Sequence, residues 1–318
     1  MNDLLIENLA EIATPLGVAP LAGPAQGAVR RLPQAELYCR DGRIAFLGPR
    51  EERLARCGEL ADTPRLDGRG GTLVPGFVDP HTHLPWAGDR AGEFEQRLAG
   101  ATYMEIMNAG GGIMSTVRNT RQAGVDELVA DNLPRLARML RHGTTSAEAK
   151  TGYGLDTATE IKQLDAIVAL AAAQPVELTP TFLPAHAVPA EYRGDTEGFV
   201  RLVIEEILPA GAAWMRERDI SLFCDVFCED GAFDLEQTRR ILTAAAALGY
   251  RLKVHADEFV GLGGTKLAVE LGATSADHLV MTPEADIAAL GRGDTMAVGL
   301  PGTPFGLAHK EYTPAKAI

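Results

Sequence analysis

From Thr72 onward the chain repeats one pattern, a short apolar segment followed by a longer amphipathic one, and this alternation limits its fold more than any other feature. Residues 73–79, 144–150, 176–185, 222–228, 251–256, 274–278 and 295–300 read as strands. Residues 126–140, 158–173, 197–216, 235–248, 264–271 and 283–289 read as helices. Strands that alternate with helices call for a parallel sheet with helices outside it. Seven strands exceed most doubly wound sheets and fall one short of a (β/α)8 barrel. The expected fold is therefore an α/β TIM barrel missing its eighth strand, over residues 73–318. Residues 1–72 read differently. Short apolar stretches (4–6, 36–39, 43–47) are separated by turns such as Asp41-Gly42 and Asp67-Gly68, the pattern of a small, partial β-sandwich.

Composition narrows the partners. Of 318 residues, 46% are hydrophobic and 23% charged, enough apolar material for a large core. The formal net charge of −13 repels phosphate backbones and anionic membranes, so no nucleic-acid or membrane partner is expected. Residues 1–7 lack a basic, apolar leader pattern, and the longest small-apolar run, 166–173, is too short to span a bilayer. The cysteines, Cys39, Cys57, Cys224 and Cys228, are too few for a disulfide framework and fit a cytoplasmic protein. Cys224 and Cys228 lie in an apolar strand and read as buried, inert thiols.

Five of the seven histidines, His81, His83, His186, His255 and His278, fall at or just past the C-terminal ends of expected strands. In a barrel the active site forms at that end. His81 and His83 are two apart on an extended segment, point the same way, and can offer two nitrogens to one metal. His255 closes its strand and supplies a third. Glu258 follows in His255-Ala-Asp-Glu258, placed to touch substrate or pass a proton. His278 titrates near neutrality when unperturbed and suits proton transfer. His186 reads as a substrate contact. His142 reads as a helix cap, and His309 has no assigned role. Gly110-Gly111-Gly112 is either an anion-binding loop or a hinge.

Around these residues the motifs resemble those of the imidazolonepropionase family of amidohydrolases. Pro75-Gly-Phe-Val-Asp-Pro-His-Thr-His-Leu84 is similar to the amidohydrolase metal motif. Six further stretches resemble the family's motifs: Gly88-Asp-Arg90-Ala-Gly-Glu-Phe-Glu95, Gly110 to Arg118, Lys150-Thr-Gly-Tyr153-Gly-Leu155, Thr181 to Pro189, His255-Ala-Asp-Glu258, and Ser275-Ala-Asp-His278-Leu279. The resemblance runs from about residue 70 to about 310. It implies metal ligation by His81, His83 and His255, with substrate contacts from Arg90, Tyr153, His186 and Glu258. It assigns water activation and proton transfer to His278 and Glu258. The family opens 4-imidazolone-5-propanoate to N-formimidoyl-L-glutamate in histidine degradation, using zinc or iron, here one ion per chain. Arg90 suits the propanoate, since a guanidinium can clamp a carboxylate with two hydrogen bonds. The partner implied is this small molecule, with room for a homodimer.

Family members continue to an eighth strand that carries an aspartate ligand. The segment ending at Ile318 has no such residue, so the barrel reads as one strand short and the metal set as one ligand short. Three alternatives stay open: a purine or pyrimidine aminohydrolase, a two-metal enzyme bridged by Lys150, and an inactive truncated remnant.

Overall fold

The computed structural model describes residues 3–17, 19–101, 105 and 111–318. The chain divides into two compact units, Met1–Gly76 and Phe77–Ile318. Among the described residues the first contains seven strands: β1 (Leu4–Glu7), β2 (Glu11–Pro15), β3 (Val29–Pro33), β4 (Ala35–Arg40), β5 (Arg43–Pro49), β6 (Arg65–Asp67) and β7 (Thr72–Leu73). They form one sheet in the order β5-β4-β1-β6 and another in the order β3-β2-β7. Leu9, Ile12, Ala35 and Leu37 make a small core with apolar side chains of both sheets. Asp41 and Gly42 both take positive φ (50° and 74°), as a tight antiparallel turn between β4 and β5 requires.

The second unit carries a seven-stranded sheet: β8 (Phe77–Asp79), β9 (Thr144–Lys150), β10 (Glu177–Ala185), β11 (Phe223–Cys228), β12 (Arg251–Ala256), β13 (Ser275–His278) and β14 (Met296–Gly299). Their spatial order follows the sequence, with β8 and β14 as the edges. Every pairing is parallel. No eighth strand joins this sheet among the described residues. The sheet is rolled. β8 and β13 are five strand spacings apart, about 24 Å on a flat sheet. Yet His81, just past β8, lies 2.7 Å from Asp277 on β13. Rolling brings all seven C-terminal strand ends around one space.

Three local features differ from the sequence-based expectation. The segment 73–79 is two strands, because Pro75-Gly76 breaks it: Thr72–Leu73 pairs with β2, and Phe77–Asp79 with β9. The helix expected over 197–216 contains a π turn at Val203–Ile207 between Thr196–Leu202 and Leu208–Arg218. Pro209 follows that turn; it has no N–H to give the carbonyl four residues back, which loosens the ladder there. Helices Arg50–Cys57, Ala91–Leu98, Ile113–Gln122 and Gly302–Gly306 were not expected. His142 does sit at a helix end, its N–H bonded to the Arg138 carbonyl after Val125–Arg141. Among the described residues no helix is long and apolar enough to cross a membrane.

Candidate active site

Past β8 the chain stays bonded to β9. Lys150 N–H donates to the Thr82 carbonyl at 3.0 Å, and the Thr82 hydroxyl bonds the Glu148 carbonyl. This extra pairing with β9 turns His81 and His83 to the same side. His81 Nε2 lies 3.1 Å from His83 Nε2, and His255 Nε2 lies 3.2 Å from it. The three ligand atoms fall within 4.8 Å of one another. Burial, reinforced by neighbouring cationic and imidazole groups, holds His81 and His83 well below the usual histidine pKa. Neutral imidazoles are what a metal needs. Three nitrogens this close want a proton or a cation between them, and three protein nitrogens with an open position are the donor set of catalytic zinc sites. The residues therefore fit a metal ion.

His278, at the end of β13, stands beside this trio with ring centroids 5.0 Å from His81 and 5.1 Å from His255. Neither ring nitrogen has a hydrogen-bond partner. Burial, then His255, pushes its pKa down to about 3. Glu258 Oε1 lies 3.6 Å from His278 Nδ1. Burial, then Glu229, pushes the Glu258 carboxyl up to about 8. The two groups are thus displaced in opposite directions: a neutral imidazole beside a carboxyl that keeps its proton. The backbone around them is constrained. His278, Leu279 and Asp257 all have positive φ. The Asp257 carboxylate accepts N–H groups from Gly263, Gly264 and Thr265, and Glu229 accepts those of Phe259 and Val260. Glu258 is held between these two anchors.

Tyr153 and His186 close another wall. His186 stacks on His83 at 4.7 Å and 18°, and its Nδ1 lies 3.0 Å from the Gly152 carbonyl. Burial, then His255, lowers His186 to about 3, while burial raises Tyr153 to about 12. Arg90 lies at the rim, its Nε donating to Glu93 Oε2 at 3.0 Å. The other Glu93 oxygen accepts the Gly112 N–H at 2.9 Å. Gly110 of the glycine run lies outside the described residues. His81, His83, Arg90, Tyr153, His186, His255, Glu258 and His278 all line one cleft of about 1230 Å³. Cys224 and Cys228 are buried, and burial pushes both thiols up, away from reactivity.

Below the histidines lies a layer that the sequence reading passed over. Asp277 Oδ2 is 2.7 Å from His81 Nδ1. Asp225 Oδ1 accepts the His255 N–H at 3.1 Å, and its Oδ2 lies 2.9 Å from His255 Nδ1. Lys150, which the sequence left open as a metal bridge, instead ion-pairs with Asp225 at 2.7 Å and Glu148 at 2.8 Å. A second set of candidate ligands, His81, Glu148 and Asp277, has Lys253 wedged against both carboxylates, at 2.9 and 3.3 Å. A trace of it was present in the sequence: Glu148 and Lys150 stand two apart on β9, and β11, β12 and β13 each place a charged residue, Asp225, Lys253 and Asp277, among small or apolar neighbours.

No family model matches the chain. It is 51% identical to the imidazolonepropionase of Herpetosiphon aurantiacus, over 99% of this chain and 74% of that protein. It is 49% identical to that of Symbiobacterium thermophilum, over 99% and 73%. Among solved structures, E. coli guanine deaminase superposes with a TM-score of 0.68 at 15% identity, covering 98% of this chain and 71% of that one. An atrazine chlorohydrolase from Arthrobacter aurescens, complexed with zinc, gives 0.60 at 13% identity, over 99% and 69%. At this identity the structures show a shared fold. The sequence relatives go further, at close to half identity along the whole chain: this protein belongs to the imidazolonepropionase family.

Proposed function

We propose that the cleft hydrolyses 4-imidazolone-5-propanoate to N-formimidoyl-L-glutamate, with one zinc or iron ion held by His81, His83 and His255. The observation that carries this reading is the meeting, in one cleft, of three convergent imidazole nitrogens with the oppositely displaced pair His278 and Glu258. A bound cation would supply Lewis acidity, polarising the ring carbonyl and making water easier to deprotonate. The remaining work falls to the chain. His278 is neutral with free ring nitrogens and can take a proton from the attacking water. Glu258 still carries a proton at neutral pH and can give one to the ring nitrogen as its bond to the carbonyl carbon breaks. Arg90 at the rim pairs with the propanoate. Tyr153 and His186, buried in the wall, bound the ring; because His186 Nδ1 faces a carbonyl, its Nε2 is an acceptor. Four unpaired cysteines suit a cytoplasmic setting for such an enzyme.

The experiment is a hydrolysis assay on zinc-loaded protein, wild type against His278→Ala. The variant is expected to keep its zinc and lose roughly 10²–10⁴-fold in kcat. Turnover of an aminopurine or aminopyrimidine, with none of the imidazolone, would overturn the substrate assignment. Loss of zinc from His278→Ala would instead make His278 a ligand.

A further inference from the structure

The inside of the rolled sheet, directly under the histidines, is charged. Glu148 and Lys150 come from β9, Asp225 from β11, Lys253 from β12 and Asp277 from β13, and all five are buried. They interlock across the sheet. Lys253 Nζ reaches Glu148 at 2.9 Å, Asp277 at 3.3 Å and the Pro80 carbonyl at 2.9 Å. Lys150 Nζ reaches Asp225, Glu148 and, at 3.7 Å, Asp277. The Ser275 hydroxyl donates to Asp277 Oδ1 at 2.6 Å, leaving Oδ2 for His81 Nδ1. Burial works to lower the Lys150 ammonium, but Asp225, Glu148 and Asp277 outweigh it and hold its pKa above the usual value. Burying such a cluster is costly unless its members are closely paired and hydrogen-bonded, as these are.

What it touches suggests the use. β8 is a three-residue edge strand with one ladder partner, β9. From the opposite side, two contacts reach the segment that follows it: Lys253 on the Pro80 carbonyl and Asp277 on the His81 ring. We propose that Asp277 is a positioning residue for the cation site: its hydrogen bond fixes His81 as the Nδ1–H tautomer, so that Nε2 offers its lone pair toward His83 and His255. A carboxylate behind a ligating histidine both orients the ring and raises its basicity. The three carboxylates formally exceed the two ammonium groups by one, and that excess lies beneath the place a dication would take.

The geometry also fixes His83. With His81 accepting at Nε2, the 3.1 Å contact between the two Nε2 atoms requires a hydrogen there, so metal-free His83 carries its proton on Nε2. This agrees with a His83 Nδ1 that has no partner. Binding a cation moves that proton.

Long-range ¹H–¹⁵N spectra of the histidine rings in the metal-free wild-type chain test this directly, since tautomers are read from nitrogen shifts rather than from coordinates. His81 is expected as Nδ1–H and His83 as Nε2–H. A second measurement is zinc affinity by competition with a chromophoric chelator. Asp277→Asn should bind zinc roughly 10–100-fold more weakly. Tyr250→Phe, which removes a buried hydrogen bond touching no histidine, should bind it unchanged. His81 found as Nε2–H, or Asp277→Asn binding zinc like wild type, would overturn the proposal. It rests on His81 being a ligand; a wild-type chain that binds no zinc would refute that reading, while the metal-free tautomers decide the part of Asp277 separately.

Discussion

Burial and the neighbouring Glu229 push the Glu258 carboxyl up to about 8, far above the usual range for a glutamate. An unfolded chain ionises this group near pH 4.5, whereas the folded chain resists until about 8. Below the lower value both states are protonated and Glu258 contributes nothing. Between the two, folding loses stability as pH rises, reaching a few kcal/mol at about 1.4 kcal/mol per pH unit. Metal-free Glu258→Gln should therefore match wild type near pH 4 and be more stable at pH 8–9 by chemical denaturation, while losing activity. Equal stability at both pH values would mean that the carboxyl is not strained in its pocket. Arg90 tests recognition instead. Arg90→Lys keeps the charge but loses the planar fork, so KM should rise on the order of tenfold with a smaller change in kcat. A fall in kcat alone would remove Arg90 from carboxylate binding. The histidines were legible in the sequence because their residue type and strand-end position coincide. Asp225, Asp277 and Lys253 were not, because a single charge within an apolar strand looks like noise until rolling shows that alternate positions face inward.

The end of β9 shows how an element sets the site. Gly152 has φ +106°, and an added Cβ would meet the Leu183 carbonyl at 2.9 Å and His186 Nδ1 at 3.0 Å. Gly152→Ala should destabilise the fold by about 1–3 kcal/mol and displace His186, raising KM. An unchanged KM in a folded variant would detach His186 from substrate binding. The seven strands were readable because short apolar segments, closed by turns and followed by amphipathic helices, have few alternatives. The helix Ile113–Gln122 was not. Its buried stripe is Thr116, Val117 and Thr120 rather than leucines, which suits weak helix formers and gives a faint hydrophobic signal. Thr120 there accepts the Ala87 N–H at 3.2 Å, a contact visible only in three dimensions. Ala91–Leu98 buries none of its residues, and its short apolar face of Ala91, Phe94 and Leu98 is too brief a pattern to identify a helix.

At the scale of the second unit, the sheet is held in the middle and open at β8 and β14. Amide exchange should be slowest in β10, β11 and β12 and roughly tenfold or more faster in the edge strands. Uniform protection across all seven would argue for a different arrangement of the edges. The sheet's composition follows from its topology: an all-parallel rolled sheet hides both faces, yet the inner face here is charged under the histidines because that is where two of the three convergent rings are gripped. Metal loading is the most direct check on this picture. Zinc-loaded wild-type chain should contain about one ion per molecule by elemental analysis and melt higher than the metal-free form, as tight binding to the folded state requires. His83→Ala, which removes the nitrogen that the other two approach, should retain almost none. Two tightly held ions per chain, or a His83→Ala variant as fully loaded as wild type, would contradict a single site at His81, His83 and His255.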